Sequence, residues 1–191
     1  MEYGLPKSVS INGEDFEIRY DYRVILEIIE AINDPELSDE DRAIDVLQMF
    51  YVDWDRIEDY QAALQEFMVF LNGGKPETEQ KKSPKLVDWE QDFQYIVAPI
   101  NRVAGQDIRG IPYDIETNTG GYHWYSFLSA YMEIGDCLFA QIVNIRDKKA
   151  KGKKLDKTEK EFYKKNRAAI EIKTKYTQAE KDFFARMFGQ E

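Results

Sequence analysis

The chain of 191 residues has one histidine, His123, and one cysteine, Cys137. The nucleophilic chemistry open to such a couple is a thiolate activated by an imidazole, which requires hydrogen-bond reach between the two. Both fall in one stretch of helical periodicity: Trp124, Phe127, Leu128, Tyr131, Ile134, Leu138, Ile142 and Ile145, one long helix or two joined near Gly135. On continuous helix their separation in sequence amounts to about 21 Å, out of reach. Cys137 reads instead as a small core residue. One His and one Cys cannot complete a zinc site of the usual kind. Asp53, Asp55, Glu58 and Asp59 are close together, but lack the glycine-centred spacing of a calcium loop. They suit a solvated helix start, where the dipole favours negative charge. No Gly-x-x-x-x-Gly-Lys-Ser/Thr loop and no Gly-x-Ser-x-Gly elbow occurs. The residues therefore predict no cofactor and no metal, and leave His123 without a catalytic partner in sequence.

Charge narrows the remaining classes. The net charge is −10. Residues 145–191 carry 15 basic and 8 acidic side chains, net +7, which leaves −17 for the body. An acidic body repels phosphates. The tail places Lys153, Lys154, Lys160, Lys164, Lys165, Arg167, Lys173 and Lys175 among Phe162, Tyr163 and Tyr176, beginning at Arg146. Such interleaving can grip phosphates and stack bases. Nucleic-acid binding through this tail is thus the rival reading, and a solvated charged helix is the plain one. With 43% apolar and 14% aromatic residues the chain can bury a core. A single cysteine excludes an internal disulfide, and no apolar run approaches the roughly 20 residues of a membrane span. The expectation is a soluble, cytoplasmic protein without a secretory signal.

The elements that position these residues read as mostly α, about six to eight helices after a short N-terminal β-hairpin. Ser8–Ile11 and Glu14–Ile18 flank Asn12-Gly13, the dipeptide of a type I′ turn. Asp21 can cap a helix through Val24, Ile25, Ile28, Ile29 and Ile32; Ser38 can cap the next, through Ala43, Ile44, Val46, Leu47 and Phe50. A third is expected from about Asp55 to Asn72, burying Ile57, Tyr60, Leu64, Phe67, Met68 and Leu71 and stopped by Gly73-Gly74. Lys75–Lys85 is a linker with two prolines and no apolar residue. Asp88 caps a helix through Trp89, Phe93, Ile96, Val97, Ile100 and Val103, with Pro99 placed to kink it. Asp147–Lys157 is expected as a loop, Thr158–Lys173 as a basic helix. A final amphipathic segment from Thr177 carries Phe183, Phe184, Met187 and Phe188. The chain thus divides into 1–74, a linker 75–87, a central helical region 88–146 and a basic helical tail 147–191. Trp54, Trp89, Trp124, Tyr125, Phe127, Phe183, Phe184 and Phe188 are the aromatic candidates for a partner surface or for the core, since Trp and Tyr dominate both.

Three blocks in order carry a family resemblance. Asp88-Trp89-Glu90-Gln91-Asp92-Phe93 opens one helix, His123-Trp124-Tyr125-Ser126-Phe127 the next, and Ile145-Arg146 closes it before a Lys-rich stretch. This set resembles the tail assembly chaperones of siphophages and prophages of Gram-positive bacteria. It departs from the usual pattern at Tyr125, where a second Trp is common, and at Gly120-Gly121, where a bulkier lead-in is common. The resemblance implies a non-enzymatic protein that keeps the long tape measure protein soluble in the host cytoplasm until the tube polymerises. It implies contact with the major tail protein, self-association into rings or coats, and absence from the mature virion.

Overall fold

The Asn12-Gly13 pair turns the chain with both residues at positive φ, 52° and 90°, the signature of a type I′ turn. It joins β1 (Ser8–Ile11) to β2 (Glu14–Glu17), antiparallel, with Val9 opposite Phe16 and Ile11 opposite Glu14. A two-stranded ribbon is marginal alone. Here Ile11, Phe16 and Ile18 are buried against the helices, and Ile18 pairs with Tyr51 across an isolated bridge. The computed structural model describes residues 4–76 and 84–173, together with 175, 177 and 179.

Among the described residues there are eight α-helices: α1 (Tyr22–Ile32), α2 (Asp39–Phe50), α3 (Tyr60–Leu71), α4 (Trp89–Ala104), α5 (Trp124–Met132), α6 (Leu138–Ala150), α7 (Lys157–Lys165) and α8 (Arg167–Ile170). The fold is mostly α, as the periodicity indicates. Asp21, Ser38 and Asp88 cap α1, α2 and α4, each accepting from an amide in the first turn. Gly105, in the left-handed region, ends α4, which runs through Pro99 without a break. Arg19 closes the other end of α2: its Nη1 donates to the carbonyls of Gln48, Met49 and Tyr51. Those are acceptors that a helix C-terminus leaves without partners.

Four sequence expectations need correction. The third helix does not begin at Asp55. A 3₁₀ turn occupies Trp54–Arg56, and α3 starts after Asp59, whose side chain accepts from the Ala62 amide; Tyr60 is consequently exposed. The Trp124–Ile145 pattern takes the second of its two expected forms, α5 and α6 parted at Gly135, φ 63°, but Cys137 is no mid-helix core residue. It is the N-cap of α6, its Sγ accepting from Ala140 at 3.4 Å. Asp147–Ala150 continue α6 rather than looping, because Lys148 and Lys149 suit its C-terminal dipole and Lys148 pairs with Glu159. The basic helix is divided at Asn166 into α7 and α8.

The Gln106–Thr119 connection also contains a second ribbon, β3 (Tyr113–Asp114) with β4 (Thr119–Gly120). Its turn carries Asn118, buried at positive φ, which ties it to the first ribbon: Nδ2 donates to Glu17 and to the Ile18 carbonyl, and Oδ1 accepts from Tyr113. One buried cluster draws residues from Ile11 to Phe139; a smaller one joins Ile142, Ile145 and Ile170.

Candidate functional site

Helices α1 and α5 start from one point. The Tyr22 amide donates to the Tyr122 carbonyl, the Trp124 amide to the Tyr20 carbonyl, and Asp21 and His123 form a bridge between the two segments. The two N-caps are therefore neighbours. Asp21 is fully buried; Oδ1 accepts from the Arg23 amide, and Oδ2 accepts from the Tyr122 amide at 2.7 Å. His123 Nδ1 accepts from the Tyr125 amide at 3.0 Å, and Nε2 lies 2.8 Å from the Pro6 carbonyl. An amide can only donate and a carbonyl can only accept, so the ring is neutral with its proton on Nε2. Burial pushes its pKa below the ordinary 6.5; Lys7 adds to this, while the Pro6 hydrogen bond and Asp21 oppose it. The ring also stacks on Tyr20 with centroids 5.2 Å apart. Both nitrogens are spent on structure, and no hydrogen bond joins His123 to Cys137.

This arrangement makes a pH prediction. Because the folded pKa is depressed, His123 contributes stability that is present above its unfolded value and is lost as pH falls through that value toward the folded one. Protonated Nδ1 would also face the Tyr125 N–H. His123→Asn keeps a capping oxygen and removes the titration, so its stability slope between pH 7 and pH 5 is expected to be shallower than wild type, read by urea midpoints. Equal slopes would contradict the assignment. His123→Ala, which loses the cap, is expected to lower stability by about 1 kcal/mol at pH 7.

Arg146 requires the largest correction. Expected in the basic tail, it is 6% exposed, and its guanidinium forks onto Asp92, with Nη1 2.6 Å from Oδ2 and Nη2 2.9 Å from Oδ1. Its remaining N–H groups donate to the carbonyls of Leu86, Ala169 and Ile170. Elsewhere in the tail, Lys149 and Arg167 pair with Glu171, and Lys151 with Asp147. Lys153, Lys154, Lys164 and Lys165 are exposed. Part of the basic charge of the tail is thus met by its own carboxylates.

The aromatic candidates separate by burial. Trp124 and Phe127 are core, stacked on each other at 5.4 Å. Trp54 is half-buried in the 3₁₀ turn, and Tyr125 stacks on Phe70 at 4.9 Å. Phe183, Phe184 and Phe188 lie outside the described residues. Trp89 stands at a surface groove of about 570 Å³ between α1 and the start of α4, whose apolar lining is Tyr22, Leu26, Trp89 and Phe93. Tyr22 stacks on Phe127 at 5.0 Å, and Trp89 meets Phe127 at 5.8 Å, so the floor of the groove is the outer layer of the core. Glu27, Glu30 and Glu90 stand at the groove with Arg23 and Arg109. Sequence reasoning named Trp89 as a site candidate, took Phe93 only as part of its helix, and missed Tyr22 and Leu26. The spacing of four in each pair was visible; their convergence from two helices was not.

Among the described residues, Glu30, Asp88 and Glu90 place carboxylate oxygens within 4.8 Å of one another. Ammonium groups already meet this charge: Lys175 bridges Glu30 and Glu90, and Lys85 pairs with Asp88. No helix there is long and apolar enough to cross a membrane. The geometry is that of an apolar surface groove backed by the aromatic core. Comparison with curated proteins and with solved structures finds no match. The family described as Bacteriophage Gp15 protein matches residues 1–172, a span that takes in both ribbons and all eight helices, and the chain belongs to that family.

Proposed function

We propose that this phage protein is a non-enzymatic tail assembly chaperone that binds the tape measure protein in the host cytoplasm and leaves before the virion is complete. The observation that carries the reading is the α1–α4 groove on a phage-family chain: an apolar floor of Tyr22, Leu26, Trp89 and Phe93 between charged side chains. A groove of this kind accepts the apolar stripe of an amphipathic helix, the form in which a long helical protein presents its aggregation-prone surface. The acidic body supports it by keeping many copies on one client soluble. Self-association along the client and contact with the major tail protein belong to the same proposal.

Co-expression with the tape measure protein of the same phage tests the reading. The expected result is a rise in soluble tape measure protein and a complex that co-purifies. Leu26→Asp, which puts a charge on the groove floor, is expected to weaken that complex about tenfold, roughly 1.4 kcal/mol. A tape measure protein equally insoluble with and without its neighbour, and no complex, would remove the proposal.

A further inference from the structure

The last described stretch of the chain leads to the groove. Gln91, in the first turn of α4, donates from Nε2 to the carbonyls of Ala169 and Glu171, and its Oε1 accepts from the Lys173 amide at 3.1 Å. Lys175 then reaches Glu30 and, at 3.0 Å, Glu90, both of which line the groove. The two carboxylates hold its ammonium well above the ordinary lysine range. The chain is thus delivered, charge to charge, to the end of the groove where α1 finishes and α4 begins.

The residues after Lys175 have the chemistry of an occupant. Phe183, Phe184, Met187 and Phe188 recur at intervals of one, four and five, one face of a helix. Lys181 and Arg186 can meet Glu27, Glu30 and Glu90; Glu180 and Asp182 can meet Arg23 and Arg109.

We infer that the α1–α4 groove is the docking surface for residues 180–191 of the same chain, with the Phe183/Phe184/Met187/Phe188 face laid on Tyr22, Leu26, Trp89 and Phe93. The chain therefore carries its own plug for the groove, and any client helix competes with it. Only that competition rests on the proposed function.

The test uses the full chain carrying Cys137→Ser. Leu26→Cys with Phe184→Cys is mildly oxidised and compared with Tyr60→Cys and Phe184→Cys, Tyr60 being exposed at the start of α3. The expected result is a monomer with an intrachain disulfide, formed at least tenfold faster for Leu26→Cys. Equal rates overturn the docking, and a disulfide-linked dimer as main product overturns the assignment to the same chain. A second readout needs no new cysteine. With 5-fluorotryptophan incorporated and the Trp89 line assigned by Trp89→Phe, the triple change Phe183→Ser, Phe184→Ser and Phe188→Ser is expected to move the Trp89 line and leave those of Trp54 and Trp124. A Trp89 line that stays in place overturns the inference. No tape measure protein is present in either experiment, so failure here is distinct from failure of client binding.

Discussion

Arg146→Ala is expected to lower the unfolding free energy by about 4 kcal/mol, the range for removing one partner of a buried ion pair. The loss has two sources. Asp92, fully buried, keeps only the Asp88 amide as a donor in place of a bidentate guanidinium. The carbonyls of Leu86, Ala169 and Ile170 lose their donors together. Arg146→Lys keeps the charge but supplies a point donor where a planar fork is needed, so it recovers only part of the loss. Arg146→Met with Asp92→Leu removes the stranded charge and is expected to fall between wild type and Arg146→Ala, since the three carbonyls still lack donors. Urea midpoints read the ranking. Limited proteolysis reads the mechanism: cleavage within 166–173 accelerates in Arg146→Ala because α8 loses its tether to α6. A change below about 1 kcal/mol, the range of an exposed pair, would show that the guanidinium is not buried.

Gly121→Ala is expected to cost about 3 kcal/mol, from a positive φ combined with overpacking. Gly121 sits at φ 78°, and an added Cβ would lie 2.3 Å from Asp21 Oδ2 and 2.9 Å from the Tyr113 ring. That carboxylate cannot swing aside freely, because Arg23 and the Tyr122 amide hold it. Gly120→Ala is expected to be comparably damaging, with its Cβ 2.4 Å from the Pro112 carbonyl oxygen. Gly13→Ala provides the control: φ is 90°, but nothing lies within 4 Å. It isolates the conformational cost, about 1 kcal/mol. Thermal melts distinguish them, since 3 kcal/mol corresponds to roughly 6–12 °C for a domain of this size. If Gly121→Ala and Gly13→Ala melt together, the close approach of Gly121 to Asp21 is not real.

The features legible in the sequence are those that one segment determines. Asp21, Ser38 and Asp88 declare their helices because a capping residue acts within four positions. Asn12-Gly13 fixes its turn for the same reason. The misread features depend on partners far away in the chain. Arg146 looks like the start of a basic tail until Asp92, 54 residues earlier, is placed beside it. Trp89 is one of three tryptophans until Leu26 and Tyr22 arrive from α1. Cys137 shows a local failure: the junction near Gly135 is legible, but cysteine is a rare N-cap, so its place at the start of α6 is not. The family-like order of blocks reflects the same structure, since it samples the caps of α4 and α5 and the Arg146 anchor.

The joint between Asp21 and His123 has a consequence for synthesis. It closes a loop of about a hundred residues, an entropic term of roughly 4 kcal/mol that no local contact can offset. The first ribbon and α1 emerge early from the ribosome, yet the Tyr122 amide that meets Asp21 and the Asn118 amide that meets Glu17 arrive only after most of the first 120 residues have been made. Until then the Asp21 carboxylate has only Arg23 as its partner, and the Tyr22 ring lacks Phe127. Formation of this one joint is accordingly a late step, although most contacts of this helical fold are local and can form as the chain emerges.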